Sequence, residues 1–324
     1  MSKMSTDLMH HALNGPTMGT RWSALFHMPS AFDAAPVASA LQAAVDEVDA
    51  QMSTWKPDSD LSRLNAAAPE IWVAVPQRLM TVLEAALTIG RASNGAFDIG
   101  LGDAVAAWGF GPAEASPAGI RTALAASRRP AHDVLELDPA NGRLRKLGDM
   151  TLDLSGIAKG YGVDRLAEVV TAFGIPAALV AIDGELRAIG LQPDDTAWTV
   201  AIERPDPKTR APHAILALHD AAVATSGDYR HFVTVGGRRL SHTMDPTRGG
   251  PLGASPASVT VVAASCMAAD AWATALMVKG SAEGARMARR YNLDALFIDL
   301  EGDRLRETRV GRLFEGPSDT GCVA

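Results

Sequence analysis

The sequence predicts a mixed protein of the α+β or α/β class, because helix-like and strand-like segments alternate along its 324 residues. Residues 37–52 and 77–93 repeat apolar side chains at the spacing of an amphipathic helix. Strand-like runs occupy 177–190 and 257–265. The second run leads directly into a helical segment, 268–280, so strands and helices are interleaved along the chain.

The elements follow from their patterns in chain order. In VASALQAAVDEVDAQM, Leu41, Val45 and Val48 lie on one apolar stripe, which predicts a helix with a buried face. TLDL, residues 151–154, is typical of a short strand. The Ser-Gly turn after it opens a predicted helix over 157–174.

Composition and charge argue against several classes of protein. With 47% hydrophobic and 21% charged residues, the chain has the make-up of an ordinary globular protein. Its formal charge of −7 argues against a broad basic surface, so no nucleic-acid partner is expected. No apolar run reaches the ~18 residues of a membrane span. Cys266 and Cys322 have no metal-binding spacing, and Cys266 is expected to be a buried small hydrophobe.

The chain is expected to form one large domain, residues 17–313, between a flexible segment at 1–16 and a tail at 314–324. Turn-rich and proline-rich sequence near 111–118 and 204–213 marks candidate divisions between two lobes. The amino terminus has neither the apolar core of a secretory signal nor a lipid-anchor cysteine. A cytoplasmic location is therefore expected for the chain as written, or a periplasmic one if a leader peptide was omitted.

The segment LDLSGIAKGYGVD combines a strand, a Ser-Gly turn and a helix start. Free N–H groups at a helix amino terminus can bind an anion, and Lys159 adds a positive charge. The alternative is a plain turn whose glycines relieve crowding.

Asp270 and Thr274 are four residues apart on a predicted helix and therefore share one face. Carboxylate and hydroxyl oxygens suit a hard cation such as Mg²⁺. The alternative is a structural role, with the aspartate near the positive end of the helix dipole and the threonine packed on the preceding turn.

In SHTMDPTRGGPL, residues 241–252, a histidine precedes an Asp-Pro pair and a Gly-Gly turn. His242 and Asp245 are therefore expected on a stiff, exposed loop. An imidazole there could accept a proton from a hydroxyl nucleophile, or it could serve as a structural hydrogen-bonding group.

Aromatic and turn residues complete the candidate site. Trp55 and Phe97 could sandwich a flat heterocycle, although core packing explains either ring equally well. In ATSGDYRHF, Ser226 and Asp228 lie in a turn whose polar groups could meet a ligand.

Seven segments occur together and in order, and they resemble the serial motifs of the ApbE family, the FAD:protein FMN transferases. The resemblance runs from about Thr17 to Phe297. The segments are MGTRW, MSTWKPDSDLSRLN, NGAFDIGLGDAVAAWGFGP, DLSGIAKGYGVD, ATSGDYRHF, SHTMDPTRGG and ADAWATALMVKG.

The resemblance implies an α+β domain with the active site between two lobes. It also implies a Mg²⁺-dependent enzyme that cleaves FAD, attaches FMN to a threonine or serine of an acceptor protein and releases AMP. A redox-complex subunit or a flavin reductase would be such an acceptor. The alternatives kept are a Mg²⁺-dependent FAD diphosphatase and a protein that binds FAD without catalysis.

The family's functional residues are carried over by motif position. His242 matches the histidine expected to take or orient the threonine proton, and Asp245 is expected to hold the loop. Asp270, Thr274 and the carbonyl of Ala158 match the metal ligands. Positions near FAD are Met18, Trp55, Ala96, Phe97, Asp98, Ser155, Lys159, Tyr161, Ser226, Asp228 and Ser241.

Four features depart from the family pattern. Asp183 stands where a glycine is usual, and its carboxylate would repel phosphate unless it faced a cation. Trp55 replaces the commoner tyrosine, and Arg248 replaces a threonine of the histidine motif. Many relatives are exported lipoproteins, whereas this chain as written shows no leader.

Overall fold

The computed structural model describes residues 8–229, 232–235, 238–253, 255–302 and 304–315. Cys322 lies outside these ranges. Cys266 is fully buried, as its apolar neighbourhood predicts, and burial raises the pKa of its thiol. None of the helices in these ranges combines the length and the apolar character needed to span a bilayer.

Helices and strands alternate, as the sequence patterns predict. The helices are α1 (Ala35–Met52), α2 (Asp60–Ala66), α3 (Gln77–Ala92), α4 (Gly102–Ala107), α5 (Pro117–Ala125), α6 (Ala131–Val134), α7 (Ala158–Ala172), α8 (Cys266–Arg290) and α9 (Arg312–Glu315), with a 3₁₀ turn at Pro139–Asn141. Helix α8 is interrupted at Gly280, whose φ is +71°.

The strands are β1 (Leu8–Thr17), β2 (Thr20–Pro29), β3 (Val73–Ala74), β4 (Leu135–Asp138), β5 (Arg143–Lys146), β6 (Ala178–Ile182), β7 (Glu185–Ile189), β8 (Trp198–Glu203), β9 (Pro212–Leu218), β10 (Ala222–Gly227), β11 (Phe232–Val235), β12 (Arg238–Ser241), β13 (Met244–Asp245), β14 (Gly250–Pro251), β15 (Ser258–Ala263), β16 (Asp294–Glu301) and β17 (Arg304–Val310).

An eight-stranded sheet forms the centre of the described molecule, in the order β1-β2-β6-β7-β10-β15-β16-β17. Each of its strand pairs is antiparallel. Antiparallel pairing of the whole sheet is the α+β arrangement and decides between the two predicted classes.

The two faces of the sheet are covered by different layers. Side chains alternate between the faces along each strand. Val180 and Ile182 belong to a cluster with α1 and α7, whereas Leu179 and Leu186 face the β8–β9 hairpin on the other side. Helix α8 packs on the helical face at Val259 and Val261. The helical layer therefore brings the amino-terminal halves of α7 and α8 together on one side of the sheet.

Both predicted chain ends differ from the structure. Residues 8–16, expected to be flexible, belong to β1, which pairs with β2 along its whole length and forms an edge of the sheet. The predicted tail begins too early, because Phe314 is buried in α9.

The predicted lobe divisions and one predicted strand also need correction. Residues 204–213 connect β8 with β9, which pair with each other, so this segment is a hairpin connection inside one layer. Residues 111–118 run into α5. Residues 151–154 belong to no strand of the described chain. The Asn65 side chain bonds both the N–H and the carbonyl of Leu152, at 2.7 and 2.9 Å, and Thr151 and Asp153 bond the backbone of Gly102 and Ile99.

Candidate functional site

The candidate site lies where the amino-terminal turns of α7 and α8 meet. Gly160 on α7 permits this approach, because a Cβ there would collide with the Cys266 carbonyl and lie 2.8 Å from the Cβ of Asp270. Glycine in the middle of a helix costs roughly 0.5–1 kcal/mol relative to alanine. Here it allows two helix backbones to come into contact.

Each of these helices supplies a buried aspartate to the amino terminus of the other. Asp164 of α7 accepts hydrogen bonds from the N–H groups of Cys266 and Met267, both at 2.9 Å. Asp270 of α8 accepts one from the N–H of Gly160 at 3.0 Å. Carboxylates at helix amino termini satisfy free N–H groups and the helix dipole. The amino-terminal turn of α7, predicted as an anion site, is thus partly occupied by a carboxylate of the protein itself.

Asp270 and Thr274 project from α8 towards the turn that precedes α7, as their spacing predicts. The Thr274 hydroxyl lies 3.2 Å from the Ser226 hydroxyl at the end of β10. A Cβ on Gly156 would lie 3.1 Å from the Thr274 Oγ1 and 3.2 Å from the Phe97 ring. Thr274, Ser226 and Phe97 are therefore assembled around the 155–160 segment that contains Ala158.

The surroundings of Asp270 disfavour the charged form of its carboxylate. Burial, together with the negative charge of Glu185, raises its pKa from 3.8 to about 7, against the opposing effects of Lys159 and the Gly160 N–H. A bound cation would stabilise the charged carboxylate in this position. The donor set, a carboxylate and a hydroxyl with a backbone carbonyl available, consists of hard oxygen ligands and fits Mg²⁺.

The described residues contain no group of three or more histidine, cysteine or carboxylate side chains that could hold a metal. A cation between α7 and α8 would therefore depend on Asp270, Thr274 and the main chain.

Lys159 provides the positive charge of the cluster. Its Nζ lies 2.9 Å from Glu185 Oε1 and 3.7 Å from Asp183 Oδ2. Glu185 and Asp270 raise the pKa of the Lys159 ammonium above its usual range, which outweighs the opposing effect of burial. Asp183 therefore faces the Lys159 ammonium. This meets the condition stated for a carboxylate in place of the expected glycine.

The predicted histidine loop is a small hairpin formed by β13 and β14. Asp245 holds its turn, because its Oδ1 accepts hydrogen bonds from the N–H and the hydroxyl of Thr247, at 2.9 and 2.7 Å. Gly249, with φ of +62°, is required there because Arg128 and the Ala123 carbonyl fill the space of a Cβ. Asp245 is thus a loop-forming residue, as expected.

The hairpin reaches α8 close to Thr274. The Thr243 hydroxyl lies 4.0 Å from the sulfur of Met277, which is one helical turn beyond Thr274. His242 is half-buried, and its ring centroid lies 6.3 Å from that of Phe110. The Ser241 hydroxyl accepts a hydrogen bond from the Thr243 N–H at 3.1 Å, so it shapes this hairpin.

Several predicted flavin positions lie at the edges of this cluster or hold its loops. Met18 has φ of +44° in the β1–β2 turn and its side chain touches the position of a Cβ on Gly162 of α7. The Asp98 carboxylate accepts hydrogen bonds from the N–H groups of Gly100 and Ala131, and burial raises its pKa. Ala96 is buried beside it.

Other predicted positions are less closely joined to the cluster. Trp55 is 65% exposed, and its described polar contact is the hydrogen bond from its N–H to Ser53. Asp228 accepts a hydrogen bond from the Ser255 hydroxyl at 3.1 Å. The Ser155 N–H donates to Asp153, and Tyr161 is buried in the core. These contacts do not connect Trp55 or Asp228 to Asp270.

Two buried carboxylates were missed by sequence reasoning. Glu185 is only 3% exposed although it follows the turn Asp183-Gly184, and Asp164 is buried in the middle of α7. A signal was present for Glu185, which begins the second half of the strand-like run 177–190. Asp164 sits in the helix motif GYGVD, where its contact with a distant helix has no local signature.

Together the fold and the cluster define an α+β protein with a buried carboxylate, hydroxyls and a lysine gathered between two helix amino termini. This is a site that can hold a hard cation beside an anionic ligand. The chain belongs to the ApbE family, whose model matches residues 18–297. The resemblance drawn from the seven sequence segments is thereby confirmed.

Related proteins align with this chain over about nine-tenths of its length. The chain is 37% identical over 298 residues to the FAD:protein FMN transferase of Vibrio cholerae, covering 91% of this chain and 89% of that protein. It is 35% identical to the protein of the same name from Escherichia coli K12, covering 91% and 85%.

Solved structures show the same fold. The flavin transferase ApbE from Vibrio cholerae superposes with a TM-score of 0.82 at 34% identity, covering 94% of this chain and 97% of that one. The apo form of the Pseudomonas stutzeri flavinyl transferase ApbE also gives 0.82, at 33% identity, covering 95% and 97%. The predicted α+β class is confirmed.

Proposed function

We propose that this protein is a Mg²⁺-dependent FAD:protein FMN transferase. In the proposed reaction a threonine or serine oxygen of an acceptor protein forms a bond to the FMN phosphorus. The bond between that phosphorus and the bridging oxygen of FAD breaks, and AMP leaves. Membership of the ApbE family and the names of the related enzymes support the reaction class.

The observation that carries the proposal is that α7, the end of β10 and the histidine hairpin all contact α8. Asp270 of α8 contacts the Gly160 N–H of α7, and Thr274 contacts Ser226 of β10. Thr243 of the histidine hairpin contacts Met277, one turn along α8. The hairpin that carries His242 therefore reaches the helix that carries Asp270 and Thr274, an arrangement that suits phosphoryl transfer.

Asp270, Thr274 and the carbonyl of Ala158 would hold the metal ion. A divalent ion bound there would neutralise charge on phosphate oxygens and so favour displacement at phosphorus. The Lys159 ammonium, held at the β6–β7 turn, adds positive charge for the same phosphates. Phe97, next to Thr274, supplies an apolar surface for the flavin portion.

His242 accepts the proton of the acceptor hydroxyl, or orients that hydroxyl, in this proposal. An imidazole has its pKa near neutrality and can take a proton as the oxygen–phosphorus bond forms. The hydrogen bonds of Asp245 within the turn keep the hairpin, and with it His242, in place.

The test is an incubation with FAD, Mg²⁺ and the protein substrate of one of the related transferases. Intact-mass spectrometry should show an acceptor heavier by FMN less one water, with AMP released in equal amount. A variant of the acceptor without its target threonine is the control. AMP release that is independent of the acceptor would indicate an FAD diphosphatase, and FAD binding with no AMP release would indicate a carrier.

The base is tested in the same assay. His242→Gln should slow transfer by roughly 10²–10⁴-fold while FAD binding is retained, because general-base catalysis is worth about that much. Transfer at the wild-type rate would remove His242 from the mechanism.

A further inference from the structure

The Lys159 ammonium has two buried carboxylates within its electrostatic reach. Glu185 and Asp270 both stabilise its charged form, yet the salt bridges that Lys159 forms are with Glu185 and Asp183. The backbone of Lys159 is adjacent to Gly160, whose N–H binds Asp270. The flexible Lys159 side chain could therefore pair with either Glu185 or Asp270. In the structure it pairs with Glu185.

Glu185 is a buried residue whose carboxylate contacts Lys159. Its side chain is 4% exposed, and its Oε1 contacts Lys159 at 2.9 Å. Its Oε2 is buried with no hydrogen-bond partner among the described residues. A buried carboxylate oxygen without a partner costs free energy. Such a group is retained in a folded protein when it serves another purpose.

We propose that Glu185 is a positioning residue that holds the Lys159 ammonium away from Asp270 and so keeps Asp270 free for a divalent cation. The inference rests on the proposed function, since it assigns the cation to Asp270. Without the Glu185 charge, Asp270 becomes the buried carboxylate that attracts the ammonium. An internal Lys159–Asp270 pair then competes directly with the metal ion.

The competition has a specific signature in a double variant. Glu185→Gln should weaken binding of Mn²⁺, used alone as the probe, by about tenfold or more, since an opposite charge within ~4–6 Å stabilises a carboxylate by that order. Adding Lys159→Met removes the competing ammonium and should restore the affinity. Asp183→Asn removes the more exposed partner of Lys159 and should leave Mn²⁺ affinity within about threefold.

The measurement is a titration of metal-free full-length protein with Mn²⁺, followed by electron paramagnetic resonance, with circular dichroism as a check on folding. Glu185→Asp, which keeps the charge, should retain most of the affinity. In transfer assays the loss caused by Glu185→Gln should diminish as Mg²⁺ is raised, because the ion displaces the ammonium.

The outcomes are distinguishable. If the wild-type protein binds Mn²⁺ and Glu185→Gln binds it equally well, the inference is overturned and the proposed function stands. The inference is also overturned if Glu185→Gln loses affinity and Lys159→Met fails to restore it, since Glu185 then has a merely structural role. Absence of Mn²⁺ binding by the wild-type protein would overturn both the metal assignment and the inference.

Discussion

The amino termini of α7 and α8 are capped by the same residue type in reciprocal positions, yet the two aspartates differ in what surrounds them. Asp164 accepts hydrogen bonds from two N–H groups of α8 and lies 2.5 Å from the Arg187 guanidinium. Asp270 accepts one from the Gly160 N–H, and its surroundings include the negative Glu185. The first carboxylate pairs with a guanidinium, whereas the second has another buried carboxylate in its surroundings and is the metal ligand of the proposed function.

In the proposed function, this difference separates a structural cap from a metal ligand. Both carboxylates stabilise a helix amino terminus. The Asp164 carboxylate is fully engaged by protein groups, namely the Arg187 guanidinium and two N–H groups of α8. Burial and the negative charge of Glu185 raise the pKa of Asp270 to about 7, and in the proposed reaction this cap is a metal ligand.

Among variants of the two helix amino termini, the largest effect is expected from Asp270→Asn, which keeps an acceptor for the Gly160 N–H and removes the charge. FMN transfer should fall by roughly 10²–10³-fold or more, because the charge stabilisation by a bound divalent ion is worth several kcal/mol. The measurement is the initial rate of AMP release at saturating Mg²⁺. A rate within a few fold of wild type would show that Asp270 is only a cap.

In metal-free protein, the free energy of unfolding should depend on pH because of the raised pKa of Asp270. The pKa of Asp270 in the folded protein is about 7, above its ordinary value of 3.8. The folded state therefore binds the proton more tightly, and stability present below pH ~4 is lost as pH rises through ~7. The loss is at most about 4 kcal/mol, since one pKa unit corresponds to ~1.4 kcal/mol.

The check is urea unfolding in EDTA at several pH values, with Asp270→Asn compared with wild type. The variant should gain relative stability as pH rises from ~4 to ~7. Parallel profiles of the two proteins would contradict the raised pKa.

Asp164→Asn should lower the free energy of unfolding by about 2–3 kcal/mol. Breaking a buried ion pair costs ~3–5 kcal/mol, and the partial exposure of Arg187 reduces this value. Thermal and urea unfolding measure the effect. Asp270→Asn is the matched comparison at pH 7 and should destabilise less. The reverse order would mean that the roles of the two caps have been exchanged.

The smallest effect is expected at Asp183, whose side chain is half-exposed at a φ of +52°. Asp183→Gly removes a salt bridge worth ~0–1 kcal/mol and introduces a residue that prefers this conformation. Stability should change by less than about 1 kcal/mol. Asp183→Ala should be less stable than Asp183→Gly by about 1 kcal/mol, because left-handed backbone strains alanine. Equal stability of the two variants would show that the turn is unstrained.

Local patterns in the sequence predicted the parts of the fold that have a simple period. The apolar stripe of residues 37–52 became α1, and 77–93 became α3, because a helix buries one face every 3.6 residues. The prediction that residues 8–16 are flexible was wrong, since they form β1, which pairs with β2. The sequence of β1 itself carries little strand signal. The strand predicted at residues 151–154 was also wrong, because their backbone groups bond the Asn65 side chain and the irregular segment at Ile99 and Gly102.

The sequence alone determined the family and the spacing that places Asp270 and Thr274 on one helical face, because both depend on order and distance along the chain. Only the tertiary structure decided that Asp164 is neutralised by Arg187, that Lys159 pairs with Glu185, and that the histidine hairpin meets α8 at Met277. The charge state and role of a carboxylate depend on burial and on nearby charges, which come from distant parts of the chain and leave no local mark in the sequence.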